Sequence, residues 1–451
     1  MQWEDCRARL GAILENTSFK LELDDIQGLL LGFIPLPCGR YSFLTFGHSG
    51  QAQPFLAHLV DEVCSAEPPR NPPTSRLHLA LTCNGLRALG VDEAPLKTFP
   101  EAFRAGMPAR AEELGDRGAS DPAHWVGGLA GADLHALLLL FATDVSELEQ
   151  RSKEIHSLIS ESDGVRILSE LDVAIPATGR EHFGYQDGIS RIYVEGTGLE
   201  PPPGCGPALK PGEFVLGYPD ETSALPALPQ PEWLSRNGSF IAYRRLYEDV
   251  TAFREFLRLH ATGREEQELL AAKLMGRWRS GAPLVLAPDR DDPELVADPK
   301  RINNFDYGQM DPRGLACPIG AHIRRVNPRD TISNIQRRRL IRGGLPYGPL
   351  LPDGAPDDGQ DRGLAVFFGC ADLERQFEFV QKEWINSPKF LGLDHDKDPI
   401  AGDHDGTYNM TIQKRPIRKT LRGLPRFTRV RGGAYAFLPG LRALHLLAEG
   451  R

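Results

Sequence analysis

No C-x-x-C pair occurs in this sequence, and its seven cysteines (Cys6, Cys38, Cys64, Cys83, Cys205, Cys317 and Cys370) are scattered and odd in number. That is not the pattern of a disulfide framework, and reduced thiols are expected. H-E-x-x-H, G-x-S-x-G and G-x-x-x-x-G-K-[ST] are equally absent, which removes support from most hydrolase and kinase readings. Long hydrophobic runs are missing too: the longest, residues 136–142, falls far short of the roughly 18 residues a membrane span needs. The N-terminal Met1-Gln-Trp-Glu-Asp-Cys-Arg7 lacks the charged-then-apolar pattern of an export leader, so a cytoplasmic protein without membrane association is expected. Positive charge is in deficit, with 52 Lys+Arg against 61 Asp+Glu and a net charge of −9. A dedicated binder of nucleic acid or acidic membrane would show the opposite balance.

What is present is an ordinary globular composition, 41% hydrophobic and 25% charged over 451 residues, enough for one large domain or two to three smaller ones. With 46 Gly and 37 Pro, long irregular connections must follow. Tyr41-Ser-Phe-Leu-Thr-Phe46 reads as a strand, and Phe55, Leu56, Leu59, Val60 and Val63 follow it at helical spacing. Residues 77–82 predict a second strand leading into a short helix over residues 84–90. Residues 136–144 predict a buried strand that runs into a helix capped by Asp144.

The later half repeats this plan. A strand over residues 239–246 precedes a helix opened by Asp249, and Leu364-Ala-Val-Phe-Phe-Gly-Cys-Ala-Asp372 runs into a helix from Leu373. The shared order of strand, small residue, Asp cap and Leu-Glu implies an internal duplication into two α+β halves. Residues 196–238, rich in Pro and Gly, form the candidate linker. A second irregular region, about residues 282–361, is too long for an idle loop and is where function is expected.

Two segments carry chemistry. In Gly184-Tyr-Gln-Asp187-Gly188-Ile-Ser190, reached through Pro176-Ala-Thr-Gly-Arg-Glu-His-Phe183, glycines let backbone approach a ligand while one carboxylate projects; a turn with a structural Asp reads the same way. In Cys317-Pro-Ile-Gly-Ala-His322-Ile-Arg-Arg-Val-Asn-Pro-Arg329, a neutral imidazole could ligate iron and Arg324, Arg325 or Arg329 could pair with ligand carboxylates; a structural His fits equally. Asp394-His-Asp-Lys-Asp398 offers alternating carboxylates, but Pro399 stands where a calcium loop of the EF-hand type needs Gly.

Together the two segments, followed by Leu340-Ile-Arg342-Gly-Gly-Leu-Pro-Tyr-Gly348, resemble the dye-decolorizing peroxidases in the same order along the chain. Asp25-Ile-Gln-Gly28, residues 212–219, Met275-Gly-Arg-Trp278 and Gln376-Phe-Glu-Phe-Val-Gln381 extend the resemblance over essentially the whole chain, toward the longer cytoplasmic branch. The resemblance implies two ferredoxin-like halves with antiparallel sheets facing each other, the dimeric α+β barrel type. Their expected limits are residues 1–215, carrying the Asp187 loop, and 216–451, carrying the iron ligand. It implies one haem b per chain, held noncovalently, since C-x-x-C-H is absent, with His322 as proximal iron ligand and Asp187 and Arg342 on the distal side.

Gly188, Ile189, Arg329, Leu364 and Val366 are the further cofactor contacts expected. Asp398, with Asp403 as second choice, is the expected carboxylate on His322. The family often has Arg-Arg-Gly where this chain has Arg342-Gly343-Gly344. The implied activity is reduction of hydrogen peroxide coupled to oxidation of phenolic, dye-like or other donors, large donors being reached through a surface Trp or Tyr. The rivals are a haem-carrying or iron-handling protein with incidental peroxidase activity, and a haem-free α+β protein with a structural His322.

Overall fold

The structure, a computed structural model, describes residues 20–31, 36–47 and 49–451. Residues 1–7, on which the expectation about an export leader rests, and Cys6 with them, lie outside the described residues. Ten strands are β1 (Cys38–Phe46), β2 (Ser75–Leu81), β3 (Ala136–Ala142), β4 (Val165–Ala174), β5 (Ser239–Glu248), β6 (Ile341–Tyr347), β7 (Gly363–Cys370), β8 (Met410–Ile412), β9 (Lys419–Leu421) and β10 (Thr428–Leu438). β3 is apolar at every position because both its faces are buried.

The first four strands pair in the order β4-β1-β3-β2 and the later ones in the order β10-β5-β7-β6, all antiparallel. Taken within each half, these are the same order, so the duplication is real and each half is ferredoxin-like. The halves join where β10 meets β2 at the Phe437–Leu81 pair, and β4 packs against β6 at the other end. The curved sheet thereby closes into a barrel. Its interior is aromatic: Tyr243 lies with its ring centroid 6.2 Å from that of Tyr41 and 5.3 Å from that of Phe43.

Helices cover the outer faces, and three begin at the expected aspartates. Asp144 accepts from Glu147 N at 3.0 Å, Asp249 from Ala252 N at 2.9 Å and Asp372 from Arg375 N at 2.9 Å, each satisfying a free first-turn donor. The third is wound as π-helix over Leu373–Glu378 and Val380–Ile385.

Two readings need correction. β6 lies within the stretch expected to be irregular; Gly343, Gly344 and Pro346 hide it, and Pro is tolerated because β6 ends the strand order. The linker over residues 196–238 is not merely a tether, since Phe214, Val215 and Tyr218 are buried against Leu21 and Ile26. The six described cysteines are all free, and among the described residues no helix is long and apolar enough to cross a membrane.

Candidate active site

The loop carrying Asp187 is tied from within. Glu181 accepts backbone N–H groups from Phe183 (2.8 Å) and Tyr185 (2.7 Å), and Gln186 N donates to Arg279 O (3.0 Å). Gly188 follows at φ +78°, a left-handed conformation that favours glycine, with open space where a Cβ would stand. That turn lets Gly188 N donate to Asp187 Oδ1 at 2.7 Å.

β6 brings Arg342 to the same oxygen, its Nη2 donating to Asp187 Oδ1, while Oδ2 has no partner among the described residues. Both side chains sit deep in the protein's mass, yet 44% of Asp187 and 45% of Arg342 is open, so they line a hollow rather than the outer surface. Burial pushes the Asp187 carboxyl up, but the Arg342 charge and hydrogen bond and the Gly188 N–H outweigh it and hold it below the usual carboxylate range.

His322 opens the short helix His322–Val326. The turn before it is fixed by Asp311, which accepts from the N–H groups of Leu315 (2.7 Å) and Cys317 (2.8 Å). His322 Nδ1 lies 2.9 Å from Oδ2 of Asp398, which is fully buried and takes two further N–H groups, from Ile400 and Ala401. A carboxylate only accepts, so Nδ1 carries the proton and Nε2 is left with a lone pair. That nitrogen has no partner among the described residues, and the ring is 25% open. Asp403 instead pairs with Lys397 at 2.6 Å.

The basic residues divide by role. Arg324 and Arg325 are buried and spent on structure: Arg324 holds Asp311 and Cys317 O, and Arg325 holds the carbonyls of Trp384, Ser387 and Asp396. This corrects the expectation that either could face a ligand. Arg329 stacks 3.7 Å over Phe305 and donates to Asn303 O (3.0 Å). Beside it stand Arg277 and Arg339, each pulled down to about 10 by burial and by the Arg329 charge, and none of the three has a carboxylate partner among the described residues. Arg277 bonds Asn303 Oδ1 (2.8 Å) and Asn303 Nδ2 donates to Ile189 O (3.0 Å), so this uncompensated positive cluster adjoins the Asp187 loop.

Leu364 and Val366 lie on the face of β7 opposite the aromatic interior, with Val366 buried and Leu364 partly open. A cavity of about 760 Å³ lies elsewhere, lined by Ile319, His395, Asp396 and Arg418 but by none of Asp187, Arg342 or His322. Sequence reasoning passed over Arg277, Arg339 and Glu181, although Arg277 and Glu181 stand inside motifs already singled out; a pattern of residue types does not say which charge is left unpaired.

A domain described as the DyP dimeric alpha+beta barrel domain matches residues 57–170. Peroxidase 2 of Mycetinis scorodonius is 32% identical over 95% of this chain and 88% of its own length, and a dye-decolorizing peroxidase of Exidia glandulosa is 30% identical over 94% and 86%. A solved dye-decolorizing peroxidase in complex with 2,6-dimethoxyphenol superposes with a TM-score of 0.84 at 30% identity, covering 95% of this chain and all of the other. With the duplicated barrel and near full-length coverage in both directions, this chain is a peroxidase and belongs to the dye-decolorizing peroxidases, a family of haem enzymes.

Proposed function

We propose that the chain binds one haem b noncovalently and uses it to reduce hydrogen peroxide while oxidising phenolic or dye-like donors, the phenol held by a relative indicating the donor class. Residues 1–215 and 216–451 are proposed as its two halves, and a cytoplasmic setting belongs to the same reading. The donor set fits the cofactor. One imidazole nitrogen stands free, a carboxylate–arginine pair faces the same hollow, and arginines around Arg329 that bond only carbonyl and amide oxygens suit the two propionates of a haem. The pairing of Asp187 with Arg342 is the observation that carries the proposal. Carriage of haem needs neither residue.

His322 would hold the haem iron, and the bound group would supply the electrons that reduction of peroxide requires. Asp187 takes a proton from one peroxide oxygen and returns it to the other, so that the departing oxygen leaves as water. Its open Oδ2 is the atom suited to this task, since Oδ1 is held by Arg342 and Gly188. Arg342 stays protonated and keeps a fixed positive charge where negative charge develops on the leaving oxygen. Asp398 holds the imidazole in the tautomer that presents Nε2 and makes it a stronger donor. Gly188, Ile189, Leu364 and Val366 are proposed to shape the walls around the ring.

The test is haem loading followed by peroxide-dependent oxidation of 2,6-dimethoxyphenol. The parent should show a Soret band and turn over, and His322→Ala should fold yet lose most of its haem or shift its spectrum. A loaded parent that does not turn over would point to carriage alone. Unchanged haem occupancy and spectrum in His322→Ala would remove His322 as the ligand.

A further inference from the structure

Behind the Asp187 loop lies a second carboxyl pair. Glu181 and Glu248 are both buried, 8% and 4% exposed, and their carboxyl groups meet. Each oxygen of Glu181 accepts one backbone N–H, from Phe183 and Tyr185, and keeps a further lone pair. Glu248, at the end of β5, has a buried Oε2 that finds no donor, its neighbour being another acceptor. A proton on Glu248 supplies the missing donor: its O–H then gives a charge-assisted hydrogen bond to the Glu181 carboxylate.

The charged groups that reach the pair are Asp187 on the same loop and Arg342 from β6. Tyr185, whose hydroxyl is buried without a partner, is the other titratable neighbour of Glu181. Asp249, beside Glu248, is engaged with Arg429, and Arg362, whose carbonyl takes the Glu248 N–H, turns its guanidinium onto Asp358. No cation therefore sits directly on either carboxyl among the described residues.

We infer that Glu181 and Glu248 share one proton and act as a positioning pair, locking the Asp187 loop in place for as long as that proton is held. The inference rests on the reading of Asp187 as the distal acid/base. Burial pushes both carboxyls up, and Glu181 pushes Glu248 up further while the hydrogen bond from Glu248 favours the Glu181 carboxylate, so Glu248 keeps the proton through neutral pH. Its loss puts two negative charges in contact in a closed site. They separate, and the loop that carries Asp187 loosens.

The experiment compares parent, Glu248→Gln and Glu248→Leu holoenzymes by infrared spectroscopy of the protonated-carboxyl C=O stretch and by the pH profile of the peroxide-driven Soret change. The parent should show the carboxyl band at neutral pH, absent in both variants, and its rate should fall on the alkaline side as the band disappears. Glu248→Leu should be slower on the order of tenfold or more at pH about 6, through misplacement of Asp187. Glu248→Gln keeps a donor toward Glu181, so it should recover most of that loss and lack the alkaline fall. No Glu248 band, an alkaline limb identical in parent and Glu248→Gln, or equal behaviour of the Gln and Leu proteins would overturn the inference. A missing band while Asp187→Asn is still slow overturns the pair alone. A band present while Asp187→Asn is as fast as the parent overturns the Asp187 reading, and the pair's role with it.

Discussion

Gly343 shows why an arginine does not follow Arg342 in this chain. A Cβ at that position would stand 2.2 Å from Cζ of Phe367, a ring packed into the barrel interior. Gly343→Ala should therefore cost about 1–3 kcal/mol as overpacking. The double substitution with Phe367→Leu should lose less than the two singles added, which thermal unfolding of the four proteins would check. At this scale the sequence was most informative where a residue type is chemically singular. Asp187, His322 and Arg342 stood out because glycines, a lone imidazole and a resemblance in order drew attention to them. Arg324 and Arg325 could not be told from Arg329, because a run of basic residues carries no direction. Only the fold shows that Arg324 and Arg325 are fully buried, whereas Arg329, which also donates to carbonyls, stays partly open.

Among the elements, the short helix His322–Val326 is held less by its own five residues than by what Arg325 grips. One buried guanidinium ties the carbonyls of Trp384, Ser387 and Asp396, and so fixes the segment that delivers Asp398 to His322. Arg325→Met would leave these buried acceptors unpaired, at a cost of about 3 kcal/mol or more. Lower thermal stability and faster loss of haem to an apo-globin acceptor are the expected results; haem retention equal to the parent would separate Arg325 from the proposed role of His322. Helix starts were legible because Asp144, Asp249 and Asp372 each precede an apolar face, and capping is a local interaction. β6 was not, because two glycines and a proline erase the strand pattern, and its place is decided by pairing with β7.

For the whole molecule, duplication was legible from the repeated strand and cap, whereas the barrel was expected only through the family resemblance, since its closure depends on β2 meeting β10 and β4 meeting β6 across most of the chain. Contacts between distant segments are then critical. Asp116, from the first half, pairs with Arg244 of β5, both side chains being 4% exposed. Asp116→Ala strands a buried cation and should cost about 3–5 kcal/mol, while adding Arg244→Met should restore much of the loss. Denaturant unfolding of both variants is the check. The site has the same long-range character: Asp187 comes from the loop that follows β4, Arg342 and His322 from far later in the chain.

The claim that Asp187 moves the proton of peroxide at this shared site is tested most directly by stopped-flow mixing of holoenzyme with hydrogen peroxide, parent against Asp187→Asn, across pH. The Asp187 carboxyl is held below its ordinary value of about 3.9, so the base form persists as pH falls and is lost only below that range. The parent rate should therefore stay level from neutral pH down to roughly 5 and fall only in stronger acid. Asp187→Asn should react slower on the order of 10²-fold or more across the whole range, with haem content unchanged. An Asp187→Asn protein that keeps the parent's rate and pH profile would contradict the account.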